Sequence, residues 1–134
     1  MSLAVVDASV LTVFYAATTD DRYDDVVTRL RSGDAMFAPA HLDAEVVSAL
    51  RGLAAHDTAL REAVPDALRH LAEFPIRRVP LAPLLERIWE LRNNVTPYDA
   101  AYVALAERLN AKLITCDRKL ANATGIHCAV DLIT

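Results

Sequence analysis

The feature that most constrains this chain is a set of short apolar runs, several of which end at an acidic residue or a proline. Leu3 to Val6 ends at Asp7, and the run that begins at Lys112 ends at Asp117. Uninterrupted apolar runs of four or five residues are typical of strands buried on both faces of a parallel sheet. The strands expected from this pattern are Leu3 to Val6, Ala35 to Ala38, Ile76 to Val79, Lys112 to Cys116 and His127 to Leu132. The third is placed near an edge because Arg77 and Arg78 lie in it.

Between these runs, apolar residues recur every three to four positions, which is the spacing of one buried helix face. The helical segments are Ser9 to about Ala17, Tyr23 to Leu30, Leu42 to Leu53, Leu60 to Leu71, Leu81 to Leu91 and Pro97 to Leu109. Pro65 is expected to split or kink the fourth of these segments, because proline removes a helix hydrogen bond. Strands that alternate with helices predict an α/β fold: one domain over residues 1–134, with a short parallel sheet flanked by helices as an α/β/α sandwich.

Composition and charge exclude several classes of protein. Hydrophobic residues make up 54% of the chain and charged residues 24%, which rules out a disordered chain. The net charge of −4 argues against a protein that holds nucleic acid by a general basic surface. Asp7 interrupts the apolar start that a signal peptide would need, and no apolar run is long enough to span a membrane. A cytoplasmic protein with two free thiols, Cys116 and Cys128, is expected.

Four acidic residues occupy unusual positions. Asp7 and Asp117 directly follow apolar strands, and ligands of open α/β sheets bind beyond the carboxyl ends of the strands. Glu45 and Asp99 each fall on the shoulder of the apolar stripe of a helix, where a carboxylate is partly desolvated. If the two strands are neighbours and both helices pack on that edge, the four carboxylates converge.

Each aspartate also has a purely structural interpretation. Asp7 and Asp117 stand between a strand and a helix, where residues that cap a helix N-terminus belong. Asp99 lies three residues after Thr96, the spacing of a capping box. Taken singly, Glu45 is interpreted as a half-exposed helix residue.

A divalent cation would make such a group of carboxylates tolerable. Unpaired carboxylates close together repel one another and raise their own pKa values. Oxygen ligands without thiolates favour Mg²⁺ or Mn²⁺, which can activate water and stabilise the charge on a phosphoryl group under attack. The chemistry that follows is phosphodiester hydrolysis.

The acids stand in four motifs that occur in the order of a PIN domain. They are Val5-Val6-Asp7-Ala8-Ser9, the helix segment from Leu42 to Leu50, the stretch from Thr96 to Ala106, and Leu113-Ile114-Thr115-Cys116-Asp117-Arg118-Lys119-Leu120. Over essentially its whole length the chain resembles the PIN-domain ribonucleases of the VapC type, the toxins of bacterial toxin–antitoxin pairs.

The resemblance implies an endoribonuclease that depends on Mg²⁺ or Mn²⁺. It also implies a homodimer whose acidic cleft is occupied by a cognate, VapB-like antitoxin. Carried over by position, Asp7, Glu45, Asp99 and Asp117 become the catalytic and metal-binding acids. Ser9 and Thr115 become hydroxyls that hydrogen-bond the carboxylates or metal-bound water, unless they serve only capping and packing.

The roles of three charged residues stay open. Arg118 and Lys119 could meet substrate phosphates but are more simply interpreted as solvated, and His41 is expected to be a solvated residue outside the metal site.

The stripe of Tyr23, Val26, Val27 and Leu30, with nearby helices, could leave apolar surface for a second subunit or an antitoxin.

Other functions that begin with an acid after a strand fit less well. An adhesion-type metal site needs a serine where Leu11 stands, and a haloacid-dehalogenase-type phosphatase needs an aspartate where Ser9 stands. A receiver domain needs an acidic pair beside the first strand and a distant lysine. The alternative that remains is a catalytically silent PIN-like scaffold that binds a partner.

Overall fold

A five-stranded parallel sheet organises the fold. The computed structural model describes residues 2–134. The strands are β1 (Leu3–Val6), β2 (Ala35–Pro39), β3 (Ile76–Val79), β4 (Lys112–Thr115) and β5 (Val130–Leu132), in the order β3-β2-β1-β4-β5. Every pairing is parallel. The α/β class, the parallel sheet and the edge position of β3 are confirmed.

The register of the two central strands brings their carboxyl ends together. Val6 at the end of β1 lies opposite Ile114 in β4. The ladder continues one step further, because the Asp7 amide donates to the Ile114 carbonyl at 3.0 Å. Residues that follow β1 and residues that follow β4 therefore share one edge of the sheet.

Helices cover the sheet on both sides. They are α1 (Ala8–Ala16), α2 (Tyr23–Leu30), α3 (Leu42–Ala54), α4 (Thr58–Ala72), α5 (Leu85–Glu90), α6 (Pro97–Leu109) and α7 (Arg118–Ala121). The helix α6 contacts β1, β2 and β4, and each of its residues from Ala100 to Ala106 is buried. A helix that is apolar all round belongs in the core, and burial on every side holds its first turn firmly at the edge of the sheet.

Three local expectations are wrong in whole or in part. The split expected at Pro65 is absent, because α4 runs unbroken from Thr58 to Ala72; the proline is exposed, so water can satisfy the carbonyl that loses its partner. The last strand begins at Val130 rather than His127, because the His127 amide donates to the Glu107 carboxylate at 2.7 Å instead of to β4. The segment from Leu81 opens as a 3-10 turn over Ala82–Leu84 before α5 begins.

The basic pair in β3 has two different environments. Arg78 donates to both carboxylate oxygens of Asp43 and to the carbonyls of Leu71, Phe74 and Ile76. Arg77 is exposed on the edge strand.

No helix among the described residues has the length and apolar character needed to cross a lipid bilayer. Cys116 and Cys128 are free thiols, as expected.

Candidate active site

The four acids singled out in the sequence border one cavity of about 390 Å³. Asp7 enters it from the end of β1 and Asp117 from the end of β4. Glu45 comes from the first turn of α3, and Asp99 from the first turn of α6. The cavity therefore draws on two strand ends and two helix starts that are distant along the chain.

Asp7 is held by hydroxyl groups and does not cap its helix. Its side chain makes no capping hydrogen bond to α1. Instead its Oδ2 accepts from the Ser9 hydroxyl at 2.6 Å and from the Thr115 hydroxyl at 2.8 Å. The two hydroxyl oxygens in turn accept the backbone N–H groups of Cys116 and Asp117, both at 2.9 Å. Because those amides engage the hydroxyl oxygens, the hydroxyl protons are left to point at Asp7.

Glu45 is held by two donors on one oxygen. Its Oε1 accepts from the Tyr102 hydroxyl at 2.6 Å and lies 3.2 Å from Nε2 of His41. Tyr102 is fully buried in α6, so this bond ties α3 to the central helix. Both donors act on Oε1, which leaves Oε2 for a partner in the cavity.

The capping interpretation holds for Asp117 and only in part for Asp99. Asp117 Oδ1 accepts the amides of Lys119 and Leu120 at the start of α7. Thr96 caps α6 by accepting the Asp99 amide at 3.2 Å. The Asp99 carboxylate accepts no hydrogen bond from any residue in the range 2–134. Asp99 is thus the one of the four cavity carboxylates that has no hydrogen-bond donor among the described residues.

The electrostatics of the cavity are those of crowded acids. Burial raises the pKa of Asp99 to about 6, and repulsion from Asp7, Asp117 and Glu45 adds to the effect. Burial likewise raises the pKa of Asp7, against the opposing hydrogen bonds from Ser9 and Thr115. Burial alone would also raise the pKa of Glu45, but the hydrogen bonds from His41 and Tyr102 hold it below its ordinary value.

Sequence reasoning missed two partners of Glu45. His41 is not solvated as expected: its side chain is only 15% exposed, and its Nε2 also lies 3.1 Å from the Tyr98 carbonyl. The hydrogen bond to Glu45 raises the pKa of His41. The four-residue spacing of His41 and Glu45 was the available signal, since it places both on one helix face. The contact with Tyr102 spans 57 positions and has no local signal.

A basic residue, Arg22, also borders the cavity; it directly precedes α2. Its guanidinium is already engaged by Asp20, through Nε and Nη2, both at 2.9 Å. Arg22 therefore brings positive charge to the rim without pairing with any of the four acids.

Comparison with known proteins identifies the family of this chain. The PIN domain family matches residues 4–126. This chain is a PIN domain of the VapC family. It is 39% identical over 113 residues to ribonuclease VapC12 of Mycobacterium tuberculosis, covering 81% of this chain and 83% of the relative. It is 45% identical over 120 residues to ribonuclease VapC3 of the same species, covering 89% and 85%.

A solved structure supports the fold of this PIN domain. The crystal structure of VapC20 from Mycobacterium tuberculosis, a toxin that cleaves the sarcin-ricin loop, superposes with a TM-score of 0.67. The superposition covers 92% of this chain and 96% of the other, at 21% identity. A likeness at that identity concerns the fold.

The donor set of this PIN domain fits a hard divalent cation. The four acidic side chains that border the cavity offer only carboxylate oxygens, and repulsion from Asp7, Asp117 and Glu45 adds to the burial that raises the pKa of Asp99. Among residues 2–134, no three His, Cys, Asp or Glu side chains already stand close enough to enclose an ion. Mg²⁺ keeps several of its waters when bound, so spaced carboxylates around a roomy cavity suit it.

Because the Asp99 carboxylate has no hydrogen-bond donor among the described residues and its pKa is raised, we expect the stability of the metal-free protein to depend on pH. Folding raises the Asp99 pKa from 3.8 to about 6, so the folded state binds the proton more tightly and the free energy of unfolding falls as pH rises through this range. Asp99→Asn should therefore raise that free energy by about 1 kcal/mol at about pH 8 in EDTA, and leave it unchanged near pH 4.

Urea unfolding of both proteins across this pH range measures the difference. Asp24→Asn, an exposed substitution on α2, is the matched control and should change little at any pH. A gain for Asp99→Asn that is the same at both ends of the range would contradict the electrostatic account.

Proposed function

We propose that this PIN domain is an endoribonuclease that hydrolyses RNA with the help of Mg²⁺ or Mn²⁺. The observation that supports it is the single cavity bordered by Asp7, Glu45, Asp99 and Asp117. The names of the relatives agree, since VapC12 and VapC3 are ribonucleases. The scaffold alternative is less favoured, because all four acids are present and face the same space.

The chain's own residues would prepare the site before substrate arrives. Asp7, Glu45, Asp99 and Asp117 would hold the cation. The Ser9 and Thr115 hydroxyls fix Asp7, and Tyr102 with His41 fixes Glu45, so two of the four carboxylates have restricted freedom. Preorganised charge of this kind costs no rearrangement at the moment of reaction. The cation, when bound, would supply activation of a water and charge stabilisation on the phosphoryl group.

The overall reaction is hydrolysis of a phosphodiester. Water oxygen forms a bond to phosphorus, the bond from phosphorus to the 3′ oxygen breaks, and a proton ends on that leaving oxygen. The products are a 5′-phosphate and a 3′-hydroxyl. A divalent cation in the cavity would reduce the repulsion between the net-acidic chain and a polyanionic substrate.

The same proposal includes a toxin's partners. We take the chain as one cytoplasmic domain over residues 1–134 that is inhibited by a VapB-like antitoxin in the acidic cleft. In the expected α2 stripe, Val26 is buried, whereas Tyr23 and Leu30 are only partly buried against the core. Val47 and Leu53 of α3 are more exposed and support a homodimer contact on that helix.

Light scattering tests the dimer. A wild-type dimer should become a monomer on Leu53→Asp, because a charge would be buried at the subunit contact. A monomer at every wild-type concentration would exclude it.

Cleavage of RNA tests the catalytic proposal. The wild type should cut a mixture of cellular RNA with Mg²⁺ or Mn²⁺ and lose activity in EDTA. Asp7→Asn should lower the rate by about 100-fold or more while circular dichroism shows an intact fold, because it removes one charge from the cation-binding group.

Asp24→Asn, purified in the same way, serves as the control and should cut at the wild-type rate. Wild-type cleavage by Asp7→Asn would remove Asp7 from the mechanism. Cleavage that persists in EDTA would remove the metal.

A further inference from the structure

A second groove, of about 500 Å³, adjoins the acidic cavity and shares two of its carboxylates. Asp99 and Asp117 border both spaces. The other residues of the groove come from the loop between α5 and α6, residues 92–96, and from the region of α7, including Lys119. A flexible chain lying in this groove would therefore pass directly by the cavity.

We propose that this groove binds the single-stranded RNA next to the scissile phosphate, with Arg92 and Lys119 on its phosphates and Asn93 on a base. This inference rests on the proposed ribonuclease function and adds to it the path of the substrate. It assigns a role to residues that the cavity itself does not use.

The first argument is that the basic side chains of the groove form no ion pairs with the neighbouring acids. Among the described residues, neither Arg92 nor Lys119 forms an ion pair, although Asp99 and Asp117 line the same groove. Five arginines elsewhere pair with carboxylates, Arg22, Arg29, Arg69, Arg78 and Arg87, so the absence of such a pair beside two acids is a feature that Arg92 shares with only part of the arginines. Unpaired cations beside an acidic site give a net-acidic protein a local place for phosphates.

The second argument is that Arg92 is already oriented. Its guanidinium lies over the ring of Trp89, with its central carbon 4.4 Å from the ring centroid, and one Nη donates to the Trp89 carbonyl at 3.1 Å. Stacking on an aromatic face leaves other N–H donors of the planar guanidinium available for a phosphate. A cation held in place loses less conformational entropy on binding than a free one.

The third argument is that the groove wall is anchored while one amide is left free. Asn94 donates to the Thr124 hydroxyl at 3.1 Å, which ties the loop to the segment after α7. Gly125 permits this contact, since a Cβ there would lie 2.9 Å from the Asn94 amide nitrogen and its φ is +82°. Asn93 beside it is exposed, and its amide can donate to and accept from the edge of an unpaired base.

The experiment measures binding and its salt dependence in one chain background. The background is Asp7→Asn with Mg²⁺ present, in which cleavage should be about 100-fold slower or more, and a fluorescein-labelled single-stranded oligoribonucleotide of mixed sequence is the probe. Arg92→Ala with Lys119→Ala should weaken binding about 10-fold and reduce the slope of log affinity against log salt by about 1.4, because each lost phosphate contact of a single strand contributes about 0.7. Asn93→Ala should weaken binding with no change in slope.

The control is Arg31→Ala with Arg77→Ala, which removes the same charge from exposed positions outside the groove. Equal losses for the two double variants would overturn the groove, as would a background protein that does not bind the oligonucleotide. Cleavage by the chain with Asp7 intact is assayed in parallel. If it cleaves but the groove pair binds like the control, the groove fails alone; if the groove pair weakens binding but no chain cleaves, the ribonuclease fails alone.

Discussion

The structure depends most on two hydroxyl groups that join the ends of two neighbouring strands around one buried carboxylate. Ser9 and Thr115 each accept a backbone amide from the turn after β4 and donate to Asp7. Without those donors the Asp7 carboxylate, which is 5% exposed, would be buried and unpaired, a costly state. The hydroxyls also lock the end of β1 to the end of β4. The position of the cavity therefore follows from the way in which one charge is made tolerable.

The remaining acids are not all stabilised in this way, and the difference has a chemical meaning. Glu45 has two donors, Asp117 caps α7, and Asp99 has no donor among the described residues. The protein thus holds three carboxylates by its own contacts and leaves one exposed to their repulsion. A bound divalent metal ion is the simplest agent that would balance the charge of these carboxylates. The groove beside them contains basic side chains that form no ion pair with the acids.

Much of this could be predicted from the sequence because the signals are local. Apolar strands that end at Asp7 and Asp117 predict that both acids reach the same edge of a parallel sheet, and helical periodicity places Glu45 and Asp99 on the shoulders of buried stripes. What failed depends on packing. The burial of His41 and its contact with Tyr98 need α6 in place, and the unbroken helix through Pro65 depends on solvent on its outer face. The capping role of Asp117 and the cavity role are compatible, so local reasoning could not choose between them.

The central claim is that these carboxylates form one charged unit that a divalent ion completes. Calorimetric titration of Mn²⁺ into EDTA-treated, desalted protein at about pH 6, in two buffers of different ionisation enthalpy, tests it most directly, because the fraction of Asp99 that is protonated must lose its proton on binding. The account predicts Mn²⁺ binding with net proton release, which falls when Asp99 is replaced by Asn, and weaker binding for Asp7→Asn. Absence of binding, or binding that neither substitution alters, would contradict it.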